Sequence, residues 1–154
     1  MTKLVEVTFV DEGIAARFML HEKEAPLTTS AIWTALGGPL EGGSGHGQVS
    51  GTCVGFRLDS SIIIPAENCT GYVQTGDVLY THYDASWRFG YPDAVSELYW
   101  AYDRFVRPIV PGLGIPAVAN VVGQFVGDCT AFYALCRRTG KEGSKRLRLS
   151  RLSE

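Results

Sequence analysis

The segment from Ile64 to Asp84 constrains this 154-residue chain more than any other stretch. It begins as a polar, turn-rich loop marked by Pro65, Asn68 and Gly71, passes Gly76-Asp77, and becomes a run of strong β-formers over Asp77 to Tyr83. Such a segment ends one structural unit and begins another. Before it the patterning reads strand, strand, helix; after it, strand, helix, strand. Strands before and after each helix point to a mainly β domain that gathers its strands from both halves of the chain.

Leu4 to Val10 alternates, with Val5, Val7 and Phe9 on one side and Leu4, Glu6 and Thr8 on the other, which is the pattern of a half-buried strand. Asp11-Glu12-Gly13 is a short turn into a second strand, Ile14 to Leu20, so the two form an antiparallel hairpin. Pro26 suits the first turn of a helix, Ile32, Ala35 and Leu36 share one helical face, and Gly37-Gly38-Pro39 stops it. Gly37 to Gly51 holds seven glycines and predicts a mobile loop or an irregular edge strand. Its run Gly43-Ser44-Gly45-His46-Gly47 is no phosphate loop, because no Gly-Lys-Ser/Thr follows it. Thr52 to Leu58 and Ser61 to Ile64 read as two short strands around a turn at Asp59-Ser60. Glu97 to Tyr102 and Ala117 to Val126 are β-prone. Asp128 stands at a helix N-cap, Cys129, Phe132, Leu135 and Cys136 fall on one helical face, and Ser144 to Leu152 is the last strand.

These elements predict a single domain over residues 1–154: a closed, largely antiparallel, eight-stranded barrel with two α-helices at Pro26–Leu36 and Asp128–Arg138. A chain of this length buries enough surface to need neither metal nor disulfides. Cys53, Cys69, Cys129 and Cys136 show no zinc spacing and read as reduced thiols, so no metal and no cofactor is expected. A net charge of −2 gives no reason to expect a nucleic-acid or membrane partner, and no apolar run reaches the roughly 20 residues that span a bilayer. Seven of the fourteen basic residues lie from Arg137 onward, but Leu147 and Leu149 interleave with Arg146 and Arg148, as on a solvated strand. Asn68-Cys69-Thr70 matches a glycosylation acceptor, which has meaning only after secretion. No signal-peptide pattern follows Met1, and the expectation is a cytoplasmic protein.

The stretch Ala16-Arg17-Phe18-Met19-Leu20, with Glu24-Ala25-Pro26-Leu27-Thr28-Thr29 and then Ile32 and Leu36, resembles the second strand and first helix of cyclophilins. Pro65-Ala66-Glu67-Asn68-x-Thr70-x-Tyr72 followed by Gly76-Asp77-Val78-Leu79-Tyr80 is similar to a bacterial family of unknown function with a cyclophilin-like fold. The resemblance implies that fold over nearly the whole chain. It does not bring the activity with it. Prolyl isomerases of the cyclophilin type carry a catalytic Arg and then a Phe-Met-x-Gln-Gly-Gly segment. Here the region reads His46-Gly47-Gln48-Val49-Ser50-Gly51-Thr52-Cys53-Val54-Gly55-Phe56-Arg57, and Arg57 has no Phe-Met-x-Gln beside it.

The polar and amphipathic candidates for chemistry are His46, Tyr80, His82, Tyr83, Trp87, Arg88, Tyr91, Glu97, Tyr99 and Asp103. No Gly-x-Ser-x-Gly is present and no cysteine is flanked as a nucleophile would be. Tyr80 and His82 lie two apart on one strand, so their side chains leave the same face about 7 Å apart. A turn at Asp84-Ala85-Ser86 folds Trp87 and Arg88 back over that face, and Tyr99 arrives on a returning strand. The expected ligand site is therefore Tyr80, His82, Trp87, Arg88 and Tyr99, suited to a small anionic or aromatic metabolite. Two other classes stay open: a prolyl isomerase or peptide-binding module, and a homo-oligomer without catalysis. The last rests on seven aromatics between Ala85 and Phe105, more than an exposed segment carries without a partner surface.

Overall fold

A computed structural model describes residues 1–86, 92–110 and 113–152. In chain order the elements are β1 (Leu4–Phe9), β2 (Ile14–Leu20), α1 (Pro26–Ala35), β3 (Leu40–Gly43), β4 (Gly45–His46), β5 (Cys53–Leu58), β6 (Cys69–Thr70), β7 (Asp77–Tyr83), β8 (Val95–Ala101), β9 (Ala119–Val126), α2 (Thr130–Glu142) and β10 (Arg146–Arg151). Every pairing between these strands is antiparallel. Hydrogen bonds link them in the order β3-β10-β1-β2-β9-β7-β8-β5-β4, with β6 added on β9.

This corrects the expected closed barrel of eight strands. Among the described residues the sheet has ten strands, and its hydrogen-bonded path is open. The two ends of the path, β3 and β4, are separated in sequence by Ser44 alone. One residue cannot span a flat sheet of this width, so the sheet must curl until its edges meet at Ser44. Covalent continuity, rather than a ladder between β3 and β4, brings the edges together. The glycine-rich Gly37–Gly51 stretch, expected as loop or irregular edge, supplies both edge strands.

The curl separates an inner face from an outer one. Inner positions such as Val5, Val7, Phe18, Val54, Val78, Leu98, Trp100, Leu147 and Leu149 form one core cluster, each fully buried. Ile32 and Leu36 from the α1 end, and Phe132, Leu135 and Cys136 from α2, join the same cluster. Trp100 donates its indole N–H to Cys136 Sγ at 3.4 Å. On the outer face, Cys53, Leu79, Tyr99, Ala101, Val106 and Ala119 make a second, smaller cluster. Both clusters follow from the two-residue period of β5, β7 and β8.

Helix α1 lacks a capping side chain at Ala25. Its first-turn donors are satisfied from a distance. Pro26 has no N–H; Leu27 N donates to Glu67 Oε1 at 2.9 Å, and Thr28 N and Oγ1 donate to Glu67 Oε2 at 2.8 and 2.7 Å. Thr29 N donates to Ala25 O at 2.9 Å. Asn120 on β9 pins the loop that carries Glu67, accepting from Glu67 N at 3.0 Å and donating to Pro65 O at 2.9 Å. The Pro65-to-Asn68 stretch is thus a clamp between α1 and β9.

Ser61–Ile64 is not the strand expected. Side chains take the backbone groups a ladder would need: Tyr80 Oη and Ser96 Oγ donate to Ile62 O at 2.5 and 2.7 Å, and Ile64 N donates to Tyr80 Oη at 3.1 Å. Helix α2 starts two residues after Asp128, whose carboxylate accepts from Thr130 N at 2.9 Å, and it ends at Gly143 with φ 91°. The basic C-terminal region is paired: Arg137 with Asp103, Arg138 and Lys145 with Glu142, Arg146 with Asp11, and Arg148 with Glu41. Arg151 lies over the Trp33 ring at 4.6 Å.

Candidate functional site

The outer face of β5 and β8 is built in rows across the strands. Gly55 stands opposite Tyr99, and Arg57 opposite Glu97. Tyr99 is opposite Leu79 on β7, and Glu97 opposite Thr81. Directly opposed residues share a face, so Gly55, Arg57, Glu97 and Tyr99 all look outward, away from the main core. There they floor a cleft of about 540 Å³. One wall is β4 with residues Gly47–Ser50; the other is Pro108-Ile109, with Tyr83 and Val95 at the far end.

His46 holds the first wall in place. Its Nδ1 is 2.7 Å from Gly47 O, and its Nε2 is 2.5 Å from Tyr102 Oη. A carbonyl only accepts, so Nδ1 carries the proton and Nε2 accepts from the phenol. Arg137 covers the Tyr102 ring at 5.3 Å and pairs with Asp103, tying this wall to α2. Gly140 on α2 leaves room for the imidazole, since a Cβ there would lie 3.2 Å from His46 Nε2.

Three polar groups on the floor have no partner among the described residues. Among these residues Arg57, Glu97 and Tyr99 form no side-chain hydrogen bond and no ion pair, although Arg57 and Glu97 face each other across a strand pair. Burial pushes the Glu97 carboxyl above its ordinary range, and attraction to Arg57 only partly offsets this. Burial likewise pushes the Tyr99 phenol up; its side chain is 5% exposed. Cys53 at the edge of the floor is also raised by burial, against a hydrogen bond with Ser50, so it is a packed thiol. Arg57 is exposed and Glu97 half-buried, so both are open to solvent and to a ligand; the buried hydroxyl without a partner beside them is Thr81 Oγ1, opposite Glu97.

The residues expected to form one site do not all meet. Tyr80 points to the inner face, 2% exposed, with its hydroxyl engaged by Ile62 and Ile64. His82 shares that face; its Nδ1 lies 2.8 Å from Ser96 Oγ and its Nε2 3.1 Å from Asp84 Oδ1. Beside them is a separate cavity of about 220 Å³. Tyr99 faces the opposite way, because β7 residues of even number and β8 residues of odd number leave different sides of the ladder. Trp87 and Arg88 lie outside the described residues.

Glu97 and His46 were legible as polar candidates. Arg57 was legible only as an arginine out of its expected motif, and Gly55 not at all. The usable signal was alternation along Val95–Ala101, which puts Glu97 and Tyr99 on one face. A third hollow, about 650 Å³ and largely apolar, runs between α1 and Ile62–Ile64. Among the described residues no three His, Cys, Asp or Glu side chains converge as a metal site requires. Nor is any helix among them long and apolar enough to cross a membrane.

Among solved structures, one titled "Structure of McbB in complex with tryptophan" shares the fold, with a TM-score of 0.73 at 18% sequence identity over 97% of this chain. The chain spans 45% of the McbB chain. No curated protein matches the sequence. A family model described as a protein of unknown function, DUF3830, matches residues 7–151, which runs from the middle of β1 to the end of β10. The chain belongs to the DUF3830 family.

Proposed function

We propose that this protein binds a small anionic metabolite in the outer cleft, with Arg57 taking the anion and Glu97 and Tyr99 reading the atoms beside it. The observation that carries this is that Arg57, Glu97 and Tyr99 come together on the cleft floor and form no side-chain hydrogen bond or ion pair among the described residues. An arginine fork suits a carboxylate, and a carboxyl with a raised pKa can donate or accept a hydrogen bond according to pH. Pro108, Ile109 and the Tyr83 and Tyr99 rings supply the apolar remainder that small-molecule sites use. McbB's tryptophan has this chemistry, a carboxylate and an ammonium next to a ring. Of the residues first expected to bind, Tyr99 belongs to this cleft. The curled antiparallel sheet with two helices packed on its inner core also favours kinship with cyclophilin-like proteins.

Calorimetric titration with indole-3-acetate and L-tryptophan tests the reading. Binding that weakens about tenfold in Arg57→Ala supports it, and no heat from either acid at millimolar concentration contradicts it.

The peptide reading has a sharper test. Arg57 stands beside Glu97 without the Phe-Met-x-Gln pattern. The purified protein is expected to show no prolyl isomerase turnover above background, and turnover that disappears in Arg57→Ala would overturn that.

The homo-oligomer reading also stays within the proposal. Phe105, the one described aromatic of Ala85–Phe105 left open to solvent, is 86% exposed with φ 69°. Such an exposed apolar ring in a left-handed conformation is consistent with a surface that a second copy covers. Light scattering at micromolar concentration is expected to give a mass above 16.8 kDa, and a monomer would count against it.

A further inference from the structure

Three buried side-chain polar atoms lack a hydrogen-bond partner among the described residues: Glu12 Oε1, Thr81 Oγ1 and Arg151 Nε. Glu12 sits in the turn between β1 and β2, and Arg151 bonds Trp33 O through another nitrogen. Thr81 is different, because it stands in the middle of β7, 8% exposed, beside the outer cleft. A valine of the same shape would fill that place with no hydroxyl to leave unpaired, so the threonine costs stability as the fold stands.

The row across the outer face reads Arg57, Glu97, Thr81, with Glu97 between the other two. A Cβ on Gly55 would come 3.2 Å from Glu97 Cδ and 3.4 Å from its Cγ and Oε2. The Glu97 side chain therefore leans onto β5, over the space that Gly55 leaves, and away from Thr81 on β7. Arg57 attracts it in that position. Directly opposed Cβ atoms lie about 4.5–5.5 Å apart, so a change of staggered rotamer brings the Glu97 carboxylate within reach of Thr81 Oγ1. A second carboxylate arriving at Arg57 would repel Glu97 from the β5 side.

Building on the reading of this cleft as an anion site, we infer that Glu97 is a swinging carboxylate and Thr81 its docking point. A ligand carboxylate taken up by Arg57 displaces Glu97 from above Gly55, and Thr81 Oγ1 donates a hydrogen bond to the displaced carboxylate. Thr81 is a positioning residue: it acts through Glu97 and does not touch the ligand. The stability given up in the free protein is recovered when an anion binds.

The test combines thermal melts with calorimetric titration of indole-3-acetate. Thr81→Val is expected to raise the melting temperature of the free protein by about 2–4 °C and to weaken binding about fivefold. Thr81→Ser, which keeps the hydroxyl, is expected to bind within about twofold of wild type. In a Glu97→Ala background, Thr81→Val is expected to change affinity less than about twofold, since the hydroxyl then has no carboxylate to receive. Unchanged affinity in Thr81→Val, or a fivefold loss in Thr81→Ser as well, overturns the docking role while leaving the anion site standing. So does a lowered melting temperature in Thr81→Val, which would mean that the hydroxyl is already paired. A full fivefold loss in the Glu97→Ala background overturns action through Glu97. No binding by wild type overturns the anion site itself.

Discussion

Replacing Arg57 with alanine is expected to weaken binding of indole-3-acetate about tenfold, the equivalent of one charge-assisted hydrogen bond at a partly open site. Among the described residues Arg57 lines the cleft floor without an ion pair, and its cross-strand neighbour Glu97 attracts it without a direct contact. The guanidinium is therefore open to a ligand without breaking an ion pair to any described residue. The same geometry sets a pH dependence. Burial raises the Glu97 pKa, and Arg57 lowers it by less. As the pH falls through that raised value, Glu97 takes a proton, loses its charge and stops repelling an incoming carboxylate. Affinity for the acid is therefore expected to rise as the pH is lowered toward the ligand's own titration. Glu97→Gln should flatten this dependence, with calorimetry at several pH values as the readout. The raised pKa also means that Glu97 favours folding at low pH, and that this contribution is lost as the pH rises through the folded value.

The second large effect concerns the fold that carries the cleft. Glu67→Ala is expected to cost about 2 kcal/mol and lower the melting temperature by roughly 4–8 °C. Three donors at the start of α1 lose their acceptor together, and neither Ala25 nor Pro26 can replace it. Burial opposes ionisation of Glu67, but the Thr28 hydroxyl and the Leu27 and Thr28 amides together hold its carboxyl below the ordinary range. A depressed carboxyl contributes stability above its unfolded value of about 4.3, and that contribution is lost as the pH falls through the folded value. Thermal melts of wild type and Glu67→Ala should therefore converge as the solution is made acidic. Melts that run parallel down to the acid transition would mean that the clamp is not ionic.

Much of the fold was legible because the periods are clean. Alternation over Leu4–Phe9 and Asp77–Tyr83 located strands to within a residue, and the Phe132–Leu135–Cys136 face located α2. Leu40–His46 was read as loop or irregular edge because glycines there leave no side-chain period, although both edges of the sheet come from it. Ser61–Ile64 has the composition of a strand, but Tyr80 and Ser96, distant in sequence, take its backbone groups. The site follows the same logic. The pattern within β7 and β8 tells which residues of each strand share a face, but not how the two strands are registered. Tyr80 and Tyr99 could not be assigned to opposite faces until Leu79 was found opposite Tyr99. Arg57 and Glu97 are forty residues apart in sequence, and only the β5–β8 register brings them together.

The most direct measurement is amide chemical-shift mapping by NMR as indole-3-acetate is added to isotopically labelled protein. If the outer cleft is the binding site, the largest shifts will fall on Gly45, Gly55, Arg57, Glu97 and Tyr99. Shifts concentrated instead on Leu27, Ala31 and Ile63 would place the ligand in the apolar hollow beside α1 and contradict the assignment of function to the outer cleft.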